Sequence, residues 1–335
     1  MLTIRLDSSE SVATNLLTSL PLLPNITSLN ITIEDDSTSY FATLFQTITS
    51  SSIARTLEKL RLTVCVDMFN GPLAEYPSFE KLTVLSLDID LRRWSQSHPK
   101  TIFPPAPSSF LRTLAPTLQR LRISDQSIPH DLCPLFDTLS EPFSANSPIP
   151  FPHLDTLVLF FHFDNAEVLQ ASHQSLLRFL LVHHNDLRYL HLKLTVPNLN
   201  HNEKHLGVWL TELANNSQFS SLRTLGICPS NTPAGLSAVL ALIKRTAPTL
   251  TSLTIYDHAL THEDAARVLD ALTEREVQPR NFKNLEMCIL QLSVPFLDLL
   301  ACKPLQLEKL TLWALDVVGS NQVFPSLSPV HPSLG

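Results

Sequence analysis

Apolar residues recur along this chain at the first, fourth and sixth places of short stretches, and the end of each stretch alternates strictly. The fullest case is Leu187-Arg188-Tyr189-Leu190-His191-Leu192-Lys193-Leu194. Alternation is the period of a strand with one buried face. The pattern returns at Met1, Ile26, Leu57, Leu82, Leu118, Leu154, Leu222, Leu250, Leu285 and Leu307, giving about 11 units that start 22 to 36 residues apart. In this frame the last full units read Leu285-Glu-Met-Cys288-Ile-Leu290 and Leu307-Glu-Lys-Leu310-Thr-Leu312.

Between these stretches the period becomes helical. Ser9–Leu20, Tyr40–Leu57, Ser108–Ala115, Glu167–His184, Glu203–Ala214, Ala234–Thr246, His262–Glu276 and Val294–Cys302 carry apolar residues at steps of three and four. Thr261-His-Glu263-Asp264 has the form of a capping box. Pro233 opens one helix, whose far end is Lys244-Arg245, basic where the dipole favours it. Ala115-Pro-Thr-Leu118 and Ala247-Pro-Thr-Leu250 repeat one junction, with Pro stopping the helix before the next strand. Strand and helix alternating at this period predict an α/β fold: a single curved solenoid, with parallel strands on a concave face and helices on a convex one. It is expected over residues 1–320, with 321–335 a short tail or truncated repeat. Two Pro/Ser-rich insertions, near 92–109 and 140–153, are expected as edge loops rather than domain boundaries.

The L-x-x-L-x-L units, with the entry F-P-x-L at Phe151-Pro-His-Leu154 and Phe324-Pro-Ser-Leu327, resemble leucine-rich repeats, and more closely the irregular repeats of fungal-type F-box proteins. The resemblance covers essentially the whole chain. It implies a leucine-rich-repeat solenoid whose work is protein–protein recognition, namely substrate recognition for an F-box-type ubiquitin ligase. The common repeat puts Asn or Cys at the ninth place; here stand Glu34, Cys65, Asp90, Gln126, His162, Thr195, Ser230, His258, Ser293 and Leu315, so a regular side-chain ladder is not expected. No L-P-x-E-x-L-x-x-I-like stretch precedes the first unit. A Skp-type adaptor is therefore a partner only if an F-box lies upstream. A leucine-rich-repeat regulator such as a GTPase activator, or an enzyme with an unrecognised site, stays open as another class.

Composition narrows the field. The 335 residues are 44% hydrophobic but only 16% charged, and the net charge is −7, which gives no argument for nucleic acid. No apolar run approaches the roughly 18 residues of a membrane span, and no basic-then-apolar leader opens the chain. Cys65, Cys133, Cys228, Cys288 and Cys302 are dispersed without a C-x-x-C. Such a set reads as reduced packing thiols of a cytoplasmic or nuclear protein. The six glycines are isolated, so no phosphate loop is formed, and no cofactor or catalytic residue is expected. His201-Asn-Glu-Lys-His205 lacks the Glu a zincin needs, and Asp257-His258 with His262-Glu263-Asp264 reads as the cap already described, so no metal is expected. Pro104-Pro105-Ala106-Pro107 reads as solvated loop rather than a proline-helix ligand. His183-His184 reads as the polar end of a helix.

The functional expectation lies on the strands. With the fourth and sixth residues of each unit inward, the third, fifth and seventh face the concave wall. They place Lys59, Arg61, Arg120 and Arg122 toward the start and Phe160, Tyr189, His191, Lys193, Tyr256 and Trp313 toward the end, with Met287 and Ile289 on the same wall. Seven Lys/Arg stand there against two acids, Asp7 and Asp88. A groove basic at one end and aromatic at the other would take an acidic or phosphorylated peptide.

Overall fold

In the computed structural model, eleven strands form one sheet in sequence order, each parallel to the next. The structure describes residues 1–6, 19–23, 25–33, 38–65, 79–90, 106–128, 132–141, 150–163, 166–195, 202–229, 232–273 and 281–317. The strands are β1 (Leu2–Leu6), β2 (Ser28–Ile33), β3 (Lys59–Cys65), β4 (Val84–Asp90), β5 (Arg120–Ile128), β6 (Thr156–Phe163), β7 (Tyr189–Thr195), β8 (Thr224–Ile227), β9 (Ser252–Leu260), β10 (Asn284–Leu292) and β11 (Lys309–Val317). Between them run α1 (Thr38–Ser50), α2 (Ile53–Thr56), α3 (Ala106–Leu114), α4 (Cys133–Ser140), α5 (Ala166–His183), α6 (Asn202–Asn216), α7 (Pro233–Thr246), α8 (His262–Thr273) and α9 (Val294–Ala301). The sheet does not close, since β1 and β11 do not pair. A parallel neighbour requires a crossover; among the described residues, α-helices lie in the connection from β2 to β3 and in every connection from β4 to β11.

One backbone device recurs at every junction from β2 to β11. The carbonyl at the second place of a unit accepts two N–H groups from the next unit. Thr27 O takes Glu58 N at 2.9 Å and Lys59 N at 3.0 Å; Asp155 O takes Arg188 N at 2.8 Å and Tyr189 N at 3.0 Å. Glu58, Thr83, Gln119, Arg188, Arg223, Thr251 and Lys283 do the same. This fixes the register at the strand entry, whatever the length of the preceding connection.

The inward residues form one continuous core with the helices: Leu60, Leu62, Leu85, Leu87, Leu121, Ile123, Leu157, Leu159, Leu190 and Leu192 are buried, among many others. Phenylalanines link successive units. Phe45 meets Phe79 and Phe110 edge-on at 5.9 Å, and Phe136 lies 5.5 Å from Phe179. Trp209 of α6 is fully buried, and its Nε1 donates to His173 O of α5 at 3.2 Å. The helices start where hydroxyls can cap them. Thr232 Oγ1 accepts from Gly235 N at 3.2 Å, and Thr261 Oγ1 accepts from Asp264 N at 3.0 Å while donating to Asp264 Oδ2 at 2.8 Å.

Several expectations are corrected. Leu285 pairs with Leu310, and Met287 with Leu312, so the β10 unit reads Phe282-Lys-Asn-Leu285-Glu-Met287. Met287 and Ile289 are buried in the core, and Asn284, Glu286 and Cys288 take the opposite face. With Phe282 in first place the units after Leu250 start 32 and 25 residues apart, closer to the common spacing. In β1, Leu2 rather than Ile4 stands opposite Leu29. The expected helix 40–57 breaks at Ser51-Ser52 into α1 and α2. The insertion near 92–109 ends earlier, because Ala106–Ser109 form the first turn of α3, so Ala106-Pro107 belong to a helix and not to a proline-rich loop. Helix α4 was not anticipated, although Leu132, Leu135, Phe136 and Leu139 have helical spacing and are buried. Lys244 and Arg245 do stand in the last turn of α7, as expected, and Arg245 Nη1 in addition reaches back to Ala214 O, Asn215 O and, at 2.7 Å, Ser217 O, at the end of α6. The expected helix 9–20 lies outside the described residues except for its last two, and 318–335 lies wholly outside them.

The corrected β10 frame makes a discriminating prediction. Met287→Ala removes a buried side chain and should cost about 2–5 kcal/mol in urea unfolding. Leu290→Ala, on an exposed residue, should cost less than about 1 kcal/mol. The opposite order would restore the frame that starts at Leu285.

Candidate functional site

Among the described residues, one face of the sheet carries no helix, and the third, fifth and seventh places of the units share it. Lys59, Val84, Arg120, Thr156 and Tyr189 stand in register across five strands, as do Arg61, Ser86, Arg122, Val158 and His191. The structure thus brings Lys59, Arg61, Arg120, Arg122, Phe160, Tyr189, His191 and Tyr256 onto one wall, with Lys193 among them and Trp313 apart on the edge strand.

The charges are less free than the pattern implied. Asp88 of β4 stands between the two arginines. Its Oδ2 accepts from Arg61 Nε at 3.0 Å and Nη2 at 2.8 Å; its Oδ1 accepts from Ser124 Oγ and lies 3.9 Å from Arg122 Nε. Lys193 pairs with Asp257 at 2.7 Å. The corrected frame adds Glu286, which accepts from Trp313 Nε1 at 3.3 Å. Among the described residues, the third, fifth and seventh places then hold seven Lys/Arg against two acids, Asp88 and Glu286, with Asp257 of β9 beside Lys193. Lys59 and Arg120 make no ion pair or side-chain hydrogen bond among the described residues.

The aromatic residues also fall differently: they gather in the middle of the sheet. Arg122 lies over the Phe160 ring at 5.1 Å, and Phe160 meets Tyr256 edge-on at 5.9 Å. Tyr256 O–H bonds His191 Nδ1, and Tyr189 stacks on His191 with rings 4.3 Å apart and 11° from parallel. Two irregularities make this possible. First, β9 bulges: two steps along β10, from Glu286 to Cys288, correspond to five along β9, from Thr254 to Ala259. The bulge contains Tyr256 and Asp257, the latter with left-handed φ of 47°, a conformation Asp tolerates better than most residues. Second, β8 is only four residues long and offers Gly226 beside His191. A Cβ on Gly226 would lie 2.6 Å from His191 Cγ and Nδ1, so the imidazole occupies the space a side chain would need.

Burial sets the protonation of this cluster. His191 is 8% exposed, and burial lowers its pKa to about 4. Burial raises both tyrosines, with Arg122 opposing the shift and, at Tyr256, the Tyr189 and Glu286 charges adding to it. His191 Nε2 and Arg122 Nε are buried without a hydrogen-bond partner. His183 was expected as the polar end of a helix. It is instead fully buried against Phe151 and Phe179, and burial lowers its pKa to about 4.

The other candidates land as follows. His201 lies outside the described residues, and His205 sits half-buried on α6. No group of three or more metal-ligating side chains occurs among the described residues. Cys228 is buried as a packing thiol, whereas Cys133 and Cys288 are half-buried and Cys302 is exposed, so the thiols are not uniformly in the core. At the ninth places, His162 Nδ1 and Thr195 Oγ1 bond each other at 2.8 Å across β6 and β7, a local substitute for a ladder. Among the described residues no helix is long and apolar enough to cross a membrane. No protein-family profile matches this chain, and no curated protein matches it.

Two predictions follow from the cluster's packing. Gly226→Ala should displace His191 and cost about 1–3 kcal/mol, read as a lower urea midpoint. Stability should also depend on pH. Unfolded histidines take up protons below about pH 6.5, while His183 and His191 stay neutral in the fold down to about 4. Stability is therefore full above pH 6.5 and falls as pH drops toward 4, by up to roughly 3 kcal/mol per ring. His183→Leu should flatten the urea midpoint against pH in that window; an unchanged slope would show that His183 is not the titrating group.

Proposed function

We propose that this chain is a leucine-rich-repeat solenoid that recognises a protein partner through its helix-free face. The observation that carries the reading is the Arg122–Phe160–Tyr256–His191–Tyr189 cluster, flanked by Lys59 and Arg120. Arg and Tyr are the side chains that dominate interface energies, and a cluster already packed loses little freedom on binding. The repeat pattern in the sequence and the sequential parallel sheet support the leucine-rich-repeat assignment. The narrower assignment, substrate recognition for an F-box-type ubiquitin ligase in the cytoplasm or nucleus, rests on the resemblance of the repeats. It expects a Skp-type adaptor to co-purify with a gene product that includes an upstream F-box, and absence of the adaptor from such a preparation removes it.

Photo-cross-linking tests the face itself. Val158→p-benzoylphenylalanine and Thr224→p-benzoylphenylalanine place the probe on the helix-free wall, and Lys204→p-benzoylphenylalanine places it on exposed α6. The first two should give the same protein adduct in cells and the third none. Adducts formed only from α6 would assign recognition to the helical face.

A further inference from the structure

We propose that two copies of this chain join tail to tail, their β11 strands pairing antiparallel about a two-fold axis and merging the two sheets. The inference goes beyond the recognition reading above, since it concerns the last edge of the sheet and not its helix-free wall. Among the described residues β11 pairs with β10 alone, so the far side of its nine residues is open. The units from β2 to β10 each offer a second-place carbonyl to two N–H groups of the next unit. Glu308 holds that place in the last unit, and among the described residues no backbone donor reaches its carbonyl.

The open edge is apolar on both faces. Leu310, Leu312 and Ala314 take the inward places that are buried in β7 and β10, yet Leu310 is exposed and the other two are half-buried. On the other face Trp313 and Leu315 are 63% and 70% exposed. The last helix, α9, also shows apolar residues to solvent: Val294, Leu297 and Ala301 recur at steps of three and four and are exposed. A long apolar edge is a template for another strand unless it is blunted. The opposite edge is blunted: β1 has five residues, buries Ile4 and exposes Thr3 and Arg5.

Two observations favour a second copy as the occupant. After Val317 the sequence offers a unit entry at Phe324-Pro-Ser-Leu327, which puts Pro329 in the third place and Pro332 in the sixth. The third place donates one of the two N–H groups of the seam, and proline has none, so this stretch cannot repeat the seam on β11. The strand itself is self-complementary. With Leu312 on the axis, Leu312 faces its own counterpart, Leu310 faces Ala314 and Thr311 faces Trp313 of the second copy. Apolar inward residues thus meet apolar inward residues. Lys309 is the one charge within the stretch Lys309–Leu315 and stands opposite Leu315, so no like charges meet inside the ladder. Glu308 and Asp316 fall opposite each other just beyond it, where Lys283 already holds Glu308.

Sedimentation equilibrium on the whole chain tests the proposal. The chain should sediment at twice its own mass at about 10 µM. Leu315→Lys sets a lysine opposite Lys309 of the second copy, twice across the axis, and should raise the dimer Kd at least about tenfold. Leu315→Glu, at the same exposed position, sets a carboxylate there instead and should keep the dimer. Both variants should leave the far-UV circular dichroism unchanged. Trp313→p-benzoylphenylalanine should cross-link two copies, with the adduct in β11. A monomer up to about 100 µM, a dimer that survives Leu315→Lys, or equal loss with Lys and Glu overturns the proposal. Cross-linking supplies three further refutations. An adduct within one copy to residues 318–335 would assign the edge to the chain's own tail, an adduct to β1 would assign head-to-tail assembly, and adducts in cells to a different protein alone would assign a foreign partner.

Discussion

The architecture depends on a carbonyl that accepts twice. At each junction from β2 to β11, one second-place C=O takes two N–H groups of the following strand at 2.7–3.1 Å. Each such pair satisfies two backbone donors at the strand entry. Because the pinning occurs at the entry, the side chains downstream arrive at fixed places on the two faces. Leucines reach the helices and everything between them reaches the other side. Threonine hydroxyls reinforce the seam where they can: Thr56 bonds Ile26 O at 3.0 Å, and Thr249 bonds Leu222 O at 2.6 Å.

This explains why the fold was legible from leucine spacing alone, and also where legibility stopped. Hydrophobic alternation has a period of two, so it cannot tell a frame from one displaced by an odd step when both parities are apolar. Cys288, Ile289 and Leu290 are all apolar, and the reading from Leu285 chose the wrong parity. The better signal was Phe282, three places earlier, which restores both the F-x-x-L entry and the spacing. Helix α4 was missed because Pro134 and the short span between two polar segments hid a sound apolar stripe; proline in the first turn is compatible with a helix.

The wall was legible as a set of residues but not as a set of contacts. Alternation put Arg61, Arg122, Phe160, Tyr189 and His191 on one side, as found. It could not show that Asp88 binds one arginine and approaches the other, since that depends on which strands are neighbours and how far each side chain reaches. Nor could it show the β9 bulge, whose extra residues interrupt no hydrophobic pattern: Ile255 still points inward and Leu260 is still buried. Gly226 looked like a weak point in a strand. Its role is subtractive, leaving room for the imidazole next door. The result is a chain of touching groups from Arg61 through Asp88, Arg122, Phe160 and Tyr256 to His191 and Tyr189, in which buried, neutral His191 takes no part in the charge balance.

The bulge has a geometric consequence. By reaching across β8 to touch residues of β7 and β6, Tyr256 lays a bar over the sheet and divides its exposed side into two fields of unequal width. From β1 to β6 the larger field spans about 24 Å at ordinary strand spacing; beyond the bar, β10 and β11 leave a narrow strip that ends at Trp313. Tyr256 therefore marks the boundary between the two fields.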